Sequence, residues 1–179
     1  TRGLHLDGLA DTADALGSGR TGSDGLAIMR DSTVGAFAVV ALIATAGLQM
    51  AAIATLFEAG LGAVAVATAA IVARTPLAWL ARIGTPADDT GLGRTVVGAV
   101  APRLAAAGGV VWCVAAAGLL VTAGVPWWTA LGAALVALLP GLWLRRRAVV
   151  RFGALTGDIL GASVEVSSTL FLVLVALAT

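Results

Sequence analysis

The chain has 179 residues, 59% of them hydrophobic and only 12% charged, with a net charge of +1 and a mean hydropathy of +1.00. A soluble domain is about half apolar and about a quarter charged, so this composition excludes an ordinary soluble fold and points to a polytopic helical membrane protein. The charge balance gives no reason to expect a nucleic-acid partner. The single cysteine, Cys113, excludes an internal disulfide and reads as a packed residue beside Trp112 and Val114.

The first predicted element is a short helix through LHLDGLADTAD. At about 100° per residue it places Asp7, Asp11 and Asp14 within an arc of roughly 60°, with Leu4, Leu6, Leu9, Ala10, Ala13 and Leu16 as the apolar complement. Three like charges so close repel one another, and a divalent cation relieves that repulsion. Magnesium accepts one or two carboxylates together with phosphate oxygens, so the chemistry indicated is phosphoryl transfer. The bland alternative is a solvated helix face. His5 points away from these acids and reads as a supporting residue, and GSGRTGSDG, rich in glycine, reads as a linker. Arg30, Asp31 and Ser32 follow in IMRDSTVG.

Five apolar runs come next, at roughly 33–57, 60–81, 104–124, 126–144 and 159–179, each near the ~20 residues that span a bilayer. Arginines cluster before the first run and within 82–103 and 145–158. The positive-inside tendency therefore puts residues 1–32, an acidic motif region, and both of those loops in the cytoplasm, with the C-terminus outside. That topology gathers Asp7, Asp11, Asp14, Asp31, Arg94, Arg151 and Asp158 on one side of the membrane. Arg74 and Glu165 lie a turn or more inside predicted spans and are expected to face an internal cavity, because an ionisable group facing lipid is costly. Glu165 falls on the same face of the last helix as Asp158. Arg145, Arg146 and Arg147 read as a headgroup anchor, whereas Arg151, beside a glycine-containing turn, is the better phosphate ligand. Trp79, Trp127, Trp128 and Trp143 lie near span ends, as interfacial aromatics do. The expected architecture is all-α: a single membrane domain over 1–179 of about five transmembrane helices plus the acidic helix. Because Thr1 falls inside a motif, a preceding segment is expected.

GLHLDGLADTADALG, IMRDSTVGAF and GALTGDILGASVE resemble, in order and spacing, the motifs of the cobalamin synthase family, the adenosylcobinamide-GDP ribazoletransferases. The resemblance covers the whole chain. Ala15, Ala154 and Arg2 depart from the family's usual glycines but leave the acids intact. It implies a bacterial multi-pass membrane enzyme that joins adenosylcobinamide-GDP to alpha-ribazole or its 5′-phosphate, with Mg2+ and with release of GMP at the cytoplasmic face. Expected partners besides these substrates and the bilayer are a second copy of the chain or other cobalamin-assembly enzymes. Under the resemblance Asp7, Asp11 and Asp14 become Mg2+ ligands, and Asp31 a further ligand or general base. Arg30, Arg94 and Arg151 hold the pyrophosphate, Ser32 and Thr156 contact substrate, and Asp158 and Glu165 complete the metal site or orient the attacking hydroxyl. His5 supports the first acid. Two alternatives are a CDP-alcohol phosphotransferase, whose DG-x-x-A-R signature lacks its Arg here because Asp11 follows Ala10, and a divalent-cation transporter, which would spread its acids along the bilayer midplane.

Overall fold

The computed structural model describes residues 2–80 and 101–179, and the described residues form nine helices. They are α1 (Leu4–Gly17), α2 (Gly22–Met29), α3 (Ala36–Glu58), α4 (Gly62–Arg74), α5 (Leu77–Leu80), α6 (Pro102–Thr122), α7 (Trp127–Val136), α8 (Leu139–Phe152) and α9 (Gly157–Ala176). Arg94 lies outside the described residues.

Among the described residues four segments are long and apolar enough to cross a membrane: Ala36–Glu58, Arg103–Thr122, Trp127–Phe152 and Gly157–Ala176. The second run differs from expectation. It is not one span over 60–81 but α4, a shorter apolar helix, followed after Thr75 and Pro76 by the single turn of α5. Pro76 offers no N–H and its ring crowds the preceding turn, so the helix stops there; Thr75 Oγ1 donates to the Val72 carbonyl, satisfying one of the carbonyls left over. The 145–158 loop is also largely absent. α8 carries Arg145, Arg146, Arg147 and Arg151 on helical backbone through Phe152 and ends at Gly153, whose φ of +71° is a left-handed conformation that suits glycine. The glycine-rich stretch after α1 likewise contains α2 rather than only linker.

α9 is the hub of the bundle, packing against α1, α3, α4, α5, α7 and α8. Of its apolar window 61% is buried, against 11% for α3, so α3 turns most of its surface outward while α9 is enclosed by protein. Two apolar cores meet along it. Leu155, Ile159, Leu160 and Ala162 join Leu9, Ala15, Met29, Leu144 and Phe152 at one end. Phe171, Leu172 and Val175 join Leu56, Val72, Leu120 and Ala134 at the other. Between the two cores α9 presents Glu165, Ser167, Ser168 and Thr169, a polar girdle in an otherwise apolar helix.

Candidate active site

α1 lies antiparallel against α9. Gly8 packs onto the Asp158 backbone, where an added Cβ would fall 2.6 Å from the carbonyl oxygen, and Gly161 meets the backbone of His5 with a corresponding distance of 3.2 Å. Glycine on each partner lets the two backbones approach this closely, and the approach carries the acids of α1 to the start of α9. Thr156 caps that start, its Oγ1 accepting the Ile159 N–H at 3.3 Å and lying 3.7 Å from the Met29 sulfur. A cap of this kind contributes about 1 kcal/mol and fixes where Asp158 stands.

The result is a knot of carboxylates. Asp11, half-buried, has its pKa raised from 3.8 to about 6, first by burial and then by the negative charges of Asp158, Asp7 and Asp14. Sequence spacing placed Asp7, Asp11 and Asp14 together; the α1–α9 crossing adds Asp158. Asp14 also has another engagement. Its Oδ2 accepts the Gly35 N–H at 2.7 Å and its Oδ1 the Ala38 N–H at 2.9 Å, so it caps α3 from outside that helix's own sequence. A carboxylate at a helix N-terminus gains both from charge-assisted hydrogen bonds and from the helix dipole.

The remaining candidates occupy different places. Asp31 sits between α2 and α3, exposed, with Oδ1 accepting the Thr33 N–H at 3.0 Å and the Thr33 hydroxyl at 2.8 Å, and these bonds lower its pKa. Arg30, the C-cap of α2, and Ser32 are exposed on the same segment. Arg151 donates from Nη1 to the Leu16 carbonyl at 2.9 Å, tying the end of α8 to the end of α1.

Glu165 belongs to a second group, deeper along α9. His5 Nδ1 lies 3.8 Å from Glu165 Oε1, and the Gln49 Nε2 donates to Glu165 Oε2 at 3.2 Å and to Thr169 Oγ1 at 2.9 Å. Burial, with the charge of Arg74, lowers the His5 pKa against the opposing pull of Glu165. Arg74 and Glu165 line a cavity of about 240 Å³ with Gln49, Ser168 and apolar residues of α3, α4 and α9. Gln49 escaped the sequence reading, although it is the one side-chain amide in the chain and stands in the middle of an apolar run, which was the available signal.

Among the described residues no three His, Cys, Asp or Glu side chains are arranged as a ready cation site. The chemistry of the donors nonetheless fits a hard divalent ion: Asp7, Asp11 and Asp158 offer carboxylate oxygens only, and they repel one another.

Residues 1–176 match the family model described as cobalamin-5-phosphate synthase. The chain belongs to the cobalamin-5-phosphate synthase family. It is 41% identical over 192 residues to a protein of Frankia casuarinae, covering 99% of this chain and 66% of that relative. With a Bradyrhizobium diazoefficiens protein the identity is 38%, covering 98% of this chain and 65% of the relative, and with one from Geobacillus thermodenitrificans 34%, covering 94% and 64%. All three relatives bear the name adenosylcobinamide-GDP ribazoletransferase. The chain thus spans just under two thirds of the length of these relatives. No solved structure matches it.

Proposed function

We propose that this chain carries the phosphoryl-transfer centre of an adenosylcobinamide-GDP ribazoletransferase. It joins adenosylcobinamide-GDP to alpha-ribazole or its 5′-phosphate, releases GMP and works with Mg2+ at the cytoplasmic face of a bacterial membrane. The observation that carries this reading is the α1–α9 crossing at Gly8 and Asp158, which gathers Asp7, Asp11 and Asp158 into a repelling carboxylate group in a member of this family.

Asp7, Asp11 and Asp158 would hold the Mg2+, which would supply charge neutralisation at the pyrophosphate oxygens. Asp14 serves the site by fixing where α3 begins. A carboxylate with a pKa near 6, as Asp11 has in the metal-free chain, becomes a good ligand only once ionised, so binding expels its proton. Catalysis then rests on holding an aligned hydroxyl against the cobinamide-side phosphorus. Arg30, with Ser32 beside it, takes up phosphate charge from the α2–α3 segment. Asp31 is a weaker base than Asp11 because its hydrogen bonds to Thr33 hold it ionised. The cytoplasmic orientation is supported by Arg145, Arg146, Arg147 and Arg151 standing on α8 ahead of the turn into Asp158.

The test is GMP release by the purified full-length protein in nanodiscs, given adenosylcobinamide-GDP, alpha-ribazole and Mg2+. GMP should appear in equal amount with the joined corrinoid and only when all three are present. GMP release without alpha-ribazole, or unchanged Mg2+-dependent turnover in Asp11→Ala, overturns the reading.

A further inference from the structure

Glu165 has no direct route to the carboxylate group. α1 covers the face of α9 between Asp158 and Glu165, with Gly8 against the Asp158 backbone and Gly161 against the backbone of His5. Whatever Glu165 does for Asp7 and Asp11 therefore passes through α1. Its side chain is nonetheless held from two sides. Gln49 of α3 donates from Nε2 to Glu165 Oε2 at 3.2 Å and to Thr169 Oγ1 at 2.9 Å, and the Thr169 hydroxyl donates to the Glu165 carbonyl at 2.8 Å. These three residues close a ring of hydrogen bonds that fixes the direction of the carboxylate, and Oε1 is turned to His5 Nδ1 at 3.8 Å. Arg74, which lines the same cavity, directs its Nη1 to the Ala70 carbonyl at 2.9 Å, one turn back on α4.

The start of α1 needs such a partner. Its N-cap is Gly3, at φ +77° and with no side chain bonding to the free N–H groups of the first turn. A helix start without a cap frays. Asp7 stands in that turn, its N–H bonded to the Gly3 carbonyl at 2.9 Å. The other end of α1 is tied twice, by Asp14 to the Gly35 and Ala38 N–H groups and by Arg151 to the Leu16 carbonyl. In the first turn the polar contact to another helix is made by His5, whose side chain is only 16% exposed, a setting in which an imidazole and a carboxylate attract more strongly than in water. We propose that Glu165, braced by Gln49, is a positioning residue that fixes the first turn of α1 through His5 and so sets Asp7 beside Asp11 and Asp158. The inference rests on the reading of those acids as the Mg2+ site and deepens it. Glu165 itself touches neither metal nor substrate.

The experiment uses the full-length protein in nanodiscs and reads α1 directly, by hydrogen exchange at the amides of Asp7 through Ala10, which bond back to the carbonyls of the first turn. The Mg2+ dependence of GMP release is measured beside it. Glu165→Leu should quicken this exchange about tenfold while the other helices keep wild-type rates. The Mg2+ concentration for half-maximal turnover should rise about tenfold as well, with the KM for alpha-ribazole unchanged. Glu165→Gln keeps an oxygen for Gln49 and a polar end for His5, so it should recover most of both losses, which a metal ligand or a base would not allow. His5→Leu should reproduce the effects of Glu165→Leu, and the double variant should be no worse than either alone. Should Glu165→Leu fail to fold, His5→Leu and Glu165→Gln carry the same test. Glu165→Gln as damaging as the leucine variants, additive losses in the double variant, exchange that quickens throughout the bundle, or a first turn indifferent to both leucine variants overturns the proposal. If wild type releases no GMP yet the first turn of α1 depends on Glu165 and His5 in this way, the transferase reading falls and the fixing of α1 stands. Normal GMP release with an indifferent first turn sinks the positioning role alone.

Discussion

Gly8 of α1 and Asp158 of α9 touch through their backbones, and a methyl group added to Gly8 would come within 2.6 Å of the Asp158 carbonyl oxygen. Backbone cannot rotate out of the way as a long side chain can. Gly8→Ala should therefore push the helices apart, costing about 1–3 kcal/mol of stability and most of the activity. Gly161→Ala, whose Cβ would meet the His5 backbone at 3.2 Å, should be milder. Thermal unfolding in nanodiscs, read beside GMP release, checks the order of the two.

Asp11 predicts an effect of pH on the metal-free protein. Its pKa rises on folding from 3.8 to about 6, so the folded state binds the proton more tightly than the unfolded chain. The stability this supplies is fully present below pH ~4 and is lost as pH climbs through about 6. With Asp11 only partly buried and screened by solvent, the loss is on the order of 1 kcal/mol. In EDTA the melting temperature should fall across this range; Asp11→Asn should flatten the slope, and Mg2+ should restore stability at neutral pH. A slope unchanged by Asp11→Asn would contradict the assignment.

Asp14 should behave unlike its neighbours. Asp14→Ala removes both acceptors from the start of α3 and should cost about 1–2 kcal/mol. Asp14→Asn, which keeps one oxygen acceptor, should recover part of that stability. Titrating Mg2+ against turnover separates the roles, since Asp11→Ala should lower turnover about 100-fold or more, whereas folded Asp14→Asn should keep an Mg2+ requirement close to wild type.

Gln49 supports Glu165 from across the bundle. Gln49→Leu deprives Glu165 and Thr169 of a donor and should destabilise the protein by about 1–3 kcal/mol. Gln49→Glu should be worse, because it sets a second carboxylate beside the first. Denaturation midpoints of the three proteins, compared in one lipid, test that ranking.

Much of this arrangement could be read before any coordinates. The acidic helix, the apolar runs and the cavity-facing character of Arg74 and Glu165 all follow from periodicity and the cost of charge in lipid. Contacts between distant segments are harder to read. Nothing local to LADTAD announces that Asp14 caps a helix beginning 22 residues later, and nothing near RFG says that Arg151 will take the Leu16 carbonyl. Glu165 and Asp158 share a helical face, yet α1 meets that face at Gly161 and divides it between two polar groups. The break after Arg74 was written in Pro76, but the hydrophobic run around it carried the stronger signal.

The brevity of α4 has its own outcome. Thirteen residues at 1.5 Å each extend about 20 Å, well short of a hydrocarbon layer near 30 Å. Arg74 therefore finishes its helix inside the oily slab, at the level of Glu165, where a longer helix would have delivered it to the headgroups. The lipid around α4 must thin to meet so short a helix, so the chain length of the host lipids becomes a variable of the protein itself.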